Sequence, residues 1–264
     1  MKIDLTGKQA VVTGSTGGIG FAIAKGLAAS GAAVVINGRT GASVQQAVEA
    51  LKKQVQSARV DGVAADLATA AGVDAFVARV PQTDILVNNL GIFEPKNFED
   101  IPDADWFRFF ETNVMSGIRM SRAYIPGMRA KDWGRIVFIS SESGLNIPLE
   151  MIHYGMTKTA QIAVARGFAE SLAGTGITVN SVLPGPTRSE GVIDFFGKMA
   201  KERGVSQAQM ENDFIAQHRP TSIIRRLASV DEVANMVVYA CSKEASATTG
   251  AALRVEGGLL RSIG

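Results

Sequence analysis

Seven short runs in this chain are apolar at nearly every position: Ala10–Thr13, Ala33–Asn37, Val60–Ala64, Ile85–Asn88, Arg135–Ser140, Ile177–Leu183 and Ala252–Val255. Successive residues of a strand point to opposite faces, so such a run is stable only where both faces are covered, as in a parallel sheet. Helical stretches fall between the runs, at Ile19–Ala29, Ser43–Gln56, Thr69–Val80, Asp103–Arg129, Tyr154–Ala173 and Ser229–Ala240. This alternation predicts an α/β fold, a doubly wound parallel sheet with helices on both faces. With 264 residues and no linker or repeat, residues 1–264 are expected to form one domain.

The alternation breaks once, over residues 186–228. Pro184, Pro186 and Pro220 punctuate this insertion, and Phe195, Phe196, Met199, Met210 and Phe214 recur within two helical-looking stretches. An insertion after a strand's carboxyl end lies where ligands bind in such sheets. Two readings stay open, a lid over a substrate and a helical hairpin that covers core or a subunit contact.

Between the first strand and the first helix stands Thr13-Gly14-Ser15-Thr16-Gly17-Gly18-Ile19-Gly20. Glycines allow a sharp turn and a close approach of a pyrophosphate, and the helix start offers free N–H groups and positive dipole charge. Other ligand classes are less well served. Net charge is +2 with scattered basic residues, the pairs Lys52-Lys53 and Arg225-Arg226 being isolated, so no nucleic-acid partner is expected. Cys241 is the only cysteine, and His153 and His218 lack ligand-spaced companions, so no metal site is expected. Asp4 and Gly7 interrupt the N-terminus as a signal peptide, and no run approaches the roughly 20 apolar residues of a membrane span. The expectation is a reduced, cytoplasmic protein.

Chemistry concentrates in Ser140-Ser141-Glu142-Ser143-Gly144 and His153-Tyr154-Gly155-Met156-Thr157-Lys158. Tyr154 and Lys158, four apart near a helix start, share one face. A free tyrosine has a pKa near 10, and a neighbouring ammonium is expected to lower it. A hydroxyl from Ser141 can hold a carbonyl oxygen beside the phenol, the arrangement for protonating that oxygen as hydride reaches its carbon. By itself such a pair is more often an exposed helix face. His153 lies about 100° round the helix from Tyr154 and is given no role. Cys241, in an apolar helix, reads as a small core residue.

Taken together, Thr13-Gly14-x-x-x-Gly18-x-Gly20, Asn88-Asn89-Leu90-Gly91, Asn113, Ser141 and Tyr154-x-x-x-Lys158 resemble the short-chain dehydrogenase/reductase family, in its 3-oxoacyl-[acyl-carrier-protein] reductase-like group. The resemblance spans nearly the whole chain. It implies a single Rossmann-type domain around a seven-stranded parallel sheet, a nicotinamide cofactor and a homotetramer. It also implies that Gly14, Gly18, Ile19 and Gly20 lie under the pyrophosphate and that Asp66, followed by Leu67, accepts from the adenine amino group. Asn88 would stabilise the central sheet and line the cofactor with Gly91, although Leu90 stands where the family usually has Ala. Asn113 would kink a helix and order a proton-relay water, and Ser141, Tyr154 and Lys158 would complete the catalytic set. Pro184-Gly185 would turn beneath the nicotinamide, with the hydroxyl of Thr187 or Ser189 meeting its carboxamide.

The expected activity is interconversion of a small carbonyl compound and a secondary alcohol, with a 3-oxoacyl reductase-like substrate possible. A dinucleotide-sensing regulator without turnover is the alternative, and it has no use for the Tyr–Lys pair. An epimerase or dehydratase of the extended branch needs a larger C-terminal region. Against an acyl-carrier-protein substrate, Glu170 stands where those reductases carry an Arg; Arg129 and Lys131 form either a basic patch near the entrance or a solvated helix end. The second strand ends without the acid that holds the ribose hydroxyls of NAD, and has Gly38-Arg39 instead. NADP(H) is therefore expected over NAD(H), with Arg39 and Ser15 meeting the 2′-phosphate.

Overall fold

A computed structural model describes residues 2–263. The chain runs β1 (Gln9–Val12), α1 (Gly18–Ala29), β2 (Ala33–Gly38), α2 (Gly41–Gln54), β3 (Arg59–Ala64), α3 (Ala70–Arg79) and β4 (Ile85–Asn88). After it come α4 (Asp103–Phe110), α5 (Ser116–Ala130), β5 (Gly134–Ile139), α6 (Ile152–Ser171) and β6 (Ile177–Pro184). The last part holds β7 (Thr187–Arg188), α7 (Glu190–Arg203), α8 (Gln207–His218), β8 (Ala228–Ser229), α9 (Val230–Ala240) and β9 (Ala252–Val255).

Seven strands form one parallel sheet in the order β3-β2-β1-β4-β5-β6-β9. The two-residue period sorts their side chains. Ala10, Val12, Ile36, Val87 and Ile139 pack with α1, α2 and α9, whereas Val11, Val35, Leu86 and Phe138 pack with α3, α5 and α6. Both faces are thus covered, as the doubly apolar strands require. The strand order reverses between β1 and β4, which opens a crevice at their carboxyl ends, the place where such sheets bind ligands.

Two features of the fold matter for the site. The helix expected over Asp103–Arg129 is interrupted by a π-helical turn, Glu111–Met115. Its cause is Asn113, whose Nδ2 donates to the Ile92 carbonyl at 3.0 Å while its Oδ1 accepts from the Ile92 N–H at 2.8 Å. These bonds fix the turn to the chain after β4, and wider turns of this kind recur at functional sites. The second concerns Arg129 and Lys131, for which the sequence leaves both a basic patch and a solvated helix end open. They lie at the amino end of the sheet, bonded to the Ser171 carbonyl and to Asp84, so they form no basic patch at the crevice.

Within the insertion, α7 and α8 form a hairpin around its own small core of Phe196, Ala200, Met210, Ile215 and Leu227. The start of α7 touches the glycine turn: a Cβ added at Gly17 would sit 3.0 Å from Glu190 Oε2, and one at Gly18 would sit 3.5 Å from Ser189 Cβ. The hairpin is therefore both packed and poised over the crevice. Because its core is separate from the two that cover the sheet, it is expected to open independently. Hydrogen exchange should show residues 190–218 exchanging faster than β4–β6 in the free protein and gaining protection in the ternary complex. Equal protection in both states would leave the hairpin as a fixed wall.

Candidate active site

The glycine turn is held by side chains of the neighbouring strands. Asn37, at the end of β2, accepts the Gly14 N–H at 3.1 Å and donates to the carbonyls of Val63 and Ala65 on the far side. Asn89, just past β4, donates to the carbonyls of Thr13 and Gly14, both at 2.9 Å. Gly14 and Gly18 have φ of 58° and 56°, in the left-handed region that favours glycine. At Gly20 a Cβ would lie 2.5 Å from Asn89 Nδ2 and 2.6 Å from the Gly14 carbonyl, so helix and turn approach too closely for any side chain. The N-cap of α1, Gly17, supplies no side-chain acceptor, and the first turn of α1 has no acid. Its amide donors and positive dipole end thus face the crevice with no acid of α1 itself beside them, although the Glu190 carboxylate of α7 approaches Gly17; such a helix start fits a dinucleotide pyrophosphate.

Ser15 corrects one expectation. Its hydroxyl is fully buried, donating to the Val12 carbonyl at 2.6 Å and accepting the Asn37 N–H at 3.1 Å, so it braces β1 against β2 and does not face a 2′-phosphate. Arg39 is exposed, and its guanidinium is bonded to no other described residue. A Cβ at Gly38 would strike Thr16 Cγ2 at 2.5 Å, so an acid at this position would require Thr16 to move. Asp66 lies on the exposed loop after the adjacent β3, accepting the Ala68 N–H, while the Leu67 side chain is buried in the core.

A cavity of about 260 Å³ opens at the carboxyl ends of the strands. Ile19, Asn89, Gly91, Ser141, Tyr154, Lys158, Pro184, Gly185, Thr187 and Ser189 all line it, bringing together residues from five separate segments. A larger hollow of about 700 Å³ lies at the opposite, amino end of β1–β3 and contains none of them. The Thr187 hydroxyl donates to the Gly185 carbonyl at 2.8 Å, which leaves Ser189 as the hydroxyl free to donate. Asn88 does not line the cavity: its side chain turns to α5 and donates to Ser121 Oγ at 3.1 Å. Asn89 takes the position in the crevice. Leu90 packs with the second core and against Gly14.

Lys158 is 5% exposed and sits at a junction. Its Nζ donates to the Ile139 carbonyl at 2.9 Å and to Gln161 Oε1 at 3.1 Å, and lies 5.4 Å from the Tyr154 ring centroid. Gln161 in turn donates through Nε2 to the Asn113 carbonyl at 2.6 Å, and Asn113 Nδ2 donates to Thr157 Oγ1 at 3.0 Å. Burial disfavours the ammonium and pushes Lys158 down to about 7. The expected lowering of Tyr154 is not found. Burial pushes it up to about 12; the Ser141 hydrogen bond and the Arg219 charge pull it down, and the Glu142 carboxylate pushes it up further. Desolvation is the largest of these causes.

Ser141 caps a short turn, accepting the Ser143 N–H at 3.1 Å. Beside it, Glu142 is 2% exposed and accepts from Ser143 Oγ, from Ser141 Oγ at 3.4 Å and from Arg219 Nε at 2.8 Å. Arg219 follows α8, so the far end of the insertion is tied to the serine turn. Asn37, Asn89, Glu142, Gln161 and Arg219 were not singled out from the sequence. Gln161 shares the helical face of Lys158, three residues on, and Asn89 and Glu142 adjoin named residues; Asn37 and Arg219 have no local signal. His153 is fully buried beside Phe109 and Trp106, and burial lowers its pKa. Cys241 is fully buried, and burial pushes its thiol up to about 12.

Residues 8–198 match the family model described as short chain dehydrogenase. The chain is 48% identical over 263 residues to the uncharacterized oxidoreductase YvaG of Bacillus subtilis, covering 100% of both chains. It is 30% identical to the 3-oxoacyl-[acyl-carrier-protein] reductase FabG of Aquifex aeolicus, covering 98% of this chain and 100% of that one. It superposes on L-sorbose reductase from Gluconobacter frateurii, solved with NADPH and L-sorbose, with a TM-score of 0.94 and 33% identity over 100% of both chains.

Asn89→Ala tests the bracing of the glycine turn. Losing two buried hydrogen bonds is expected to cost about 1–3 kcal/mol in urea unfolding and to weaken NADPH binding. Unchanged stability and affinity would show that the turn holds itself.

Proposed function

The chain belongs to the short-chain dehydrogenase/reductase family, and on that premise we propose that it is an NADP(H)-dependent oxidoreductase interconverting a small carbonyl compound and a secondary alcohol. The observation that carries this reading is the single cavity walled by Ser141, Tyr154 and Lys158 on one side and by the glycine-turn residues Ile19 and Asn89 on the other. Gly14, Gly18, Ile19 and Gly20 would hold the pyrophosphate, Asp66 and the Leu67 backbone the adenine side, and Ser189 the carboxamide. Arg39 would hold the 2′-phosphate, a bidentate match for a planar guanidinium. NADPH binding in the sorbose reductase supports the same preference.

A nicotinamide cofactor held there would supply the hydride that reaches the carbonyl carbon. Ser141 holds the carbonyl oxygen, and Tyr154 donates its phenolic proton to it. Lys158, when charged, stabilises the phenolate that remains and binds the ribose hydroxyls. Asn113 fixes this geometry through its carbonyl, which holds Gln161 against Lys158.

A substrate delivered on an acidic carrier protein is the weaker reading, because Glu170 is paired with Arg166 on an exposed helix face and Arg129 and Lys131 lie at the other end of the sheet. A regulator without turnover would not need a buried lysine beside a tyrosine. We further propose a homotetramer, whose mass light scattering reads directly. Exposed Phe107 on α4 and open Gly167 on α6 support association, whereas Gly117 faces Phe138 and is not available. A cytoplasmic location is proposed from the single, buried cysteine. Among the described residues no helix is long and apolar enough to cross a membrane.

Tyr154→Phe should keep NADPH binding and lose about 10²–10⁴-fold in turnover. Reduction needs both Tyr154 and Lys158 protonated. Tyr154, near 12, stays protonated throughout, whereas Lys158 loses its proton as pH rises through about 7. In the reducing direction kcat/KM should therefore fall above about pH 7, approaching tenfold per pH unit. Near-normal turnover in the Phe variant, or a profile still flat at about pH 9, would contradict the assignment.

A further inference from the structure

The cavity's polar wall has a definite sense. Ser140 Oγ donates to the Lys158 carbonyl at 2.7 Å, Ser143 Oγ to Glu142 and Thr187 Oγ1 to the Gly185 carbonyl at 2.8 Å. Each of these hydroxyls has committed its only proton inward and presents lone pairs to the cavity. Only Glu142 and Lys158 carry charge among the residues that line it. Lys158 is held by Ile139 and Gln161, and the proposed reaction uses what remains of it. Glu142 is therefore the charge left to meet a substrate.

Its partner does not cancel that charge at the cavity. The Glu142–Arg219 pair is 2.8 Å long, with side chains 3% and 9% exposed. Arg219 is not among the cavity's lining residues; it faces the clefts beyond, beside His218, Pro220 and Thr221 and beside Asn212 and Ile215. The buried pair is thus a dipole with its negative end toward the reacting groups. A carboxylate has about four acceptor positions; Arg219 and Ser143 fill two, and the 3.4 Å bond from Ser141 occupies a third only until that hydroxyl turns to the substrate oxygen. Acceptor capacity thus remains for a donor from the cavity.

Resting on the oxidoreductase reading above, we infer that the substrate is an uncharged ketone, or the matching alcohol, that carries further hydroxyl groups beside the reacting carbon, and that Glu142 selects it. Hydroxyl groups supply donors for the lone pairs of Ser140, Ser143, Thr187 and Glu142. A carboxylate in the same position brings only acceptors and a like charge, and it finds no free cation, so its desolvation goes uncompensated. Arg219 acts as a positioning residue that keeps the Glu142 carboxylate aimed.

The test uses the purified full chain with NADPH and three four-carbon probes: L-erythrulose, a neutral hydroxylated ketone; acetoacetate, a keto acid; and 2,3-butanedione, a reactive dicarbonyl without either group. Erythrulose is expected to exceed acetoacetate by at least about 100-fold in kcat/KM. Glu142→Gln keeps the side chain's shape but removes its charge and half its acceptor capacity, and should reduce that ratio at least about tenfold. A ratio is unaffected by a general loss of active enzyme, and if the variant does not fold the wild-type ratio alone decides. Acetoacetate reduced as well as erythrulose, or a ratio unchanged in Glu142→Gln, overturns the inference while butanedione turnover leaves the oxidoreductase reading standing. No turnover of any probe sinks that reading and this inference with it.

Discussion

A buried hydrogen-bonded frame at the carboxyl ends of β1, β2 and β4 sets where every other part of the site lies. Asn37 joins the glycine turn to β2 and β3, Ser15 joins the Val12 carbonyl to the Asn37 amide, and Asn89 joins the turn to β4. A strand end that turns sharply into a helix leaves backbone groups without ladder partners, and unpaired groups of this kind are costly when buried. Satisfying them with side chains lets the turn stay thin enough for a phosphate to approach. The same turn braces the start of α7, so the insertion begins in contact with the cofactor crevice.

On the other side of the crevice, electrostatics and burial oppose each other. Lys158 is useful as a cation, yet its surroundings favour the neutral amine. Two acceptors, the Ile139 carbonyl and Gln161, offset part of that penalty. Tyr154 feels the same low-polarity surroundings and stays firmly protonated, which suits an acid that must hold its proton until the oxygen beside it becomes negative. Glu142 and Arg219 act on the phenol in opposite directions. Losing Arg219 alone would leave a buried carboxylate unpaired beside the reacting groups, a far larger disturbance than the pair itself.

Periodicity made the sheet legible: β4 and β9 have the expected bounds, β2, β3 and β6 differ by a residue at one end, and β1 and β5 are shifted by one residue. Doubly apolar runs leave few alternatives to a covered parallel sheet. Local spacing also carried the grouping of Tyr154 with Lys158, because four residues make one helical turn. What spacing could not carry was anything set by the third dimension. The inward turn of Ser15 depends on β2 lying beside β1. The raised Tyr154 depends on how much water the fold removes, and the Glu142–Arg219 pair joins residues 77 apart. The π-helical turn was visible only as an implied kink at Asn113, since the strain-relieving bonds to Ile92 cross from another segment.

The central claim is that a dinucleotide lies across this crevice from Lys158 to Arg39, with its 2′-phosphate on the guanidinium. Dissociation constants for NADPH and NADH measure that contact directly. A charge-assisted bond of about 1.5–3 kcal/mol corresponds to NADPH binding about 10–150-fold more tightly. The difference should weaken in salt and largely vanish in Arg39→Ala. Equal constants for the two cofactors in the unmodified protein would contradict the claim.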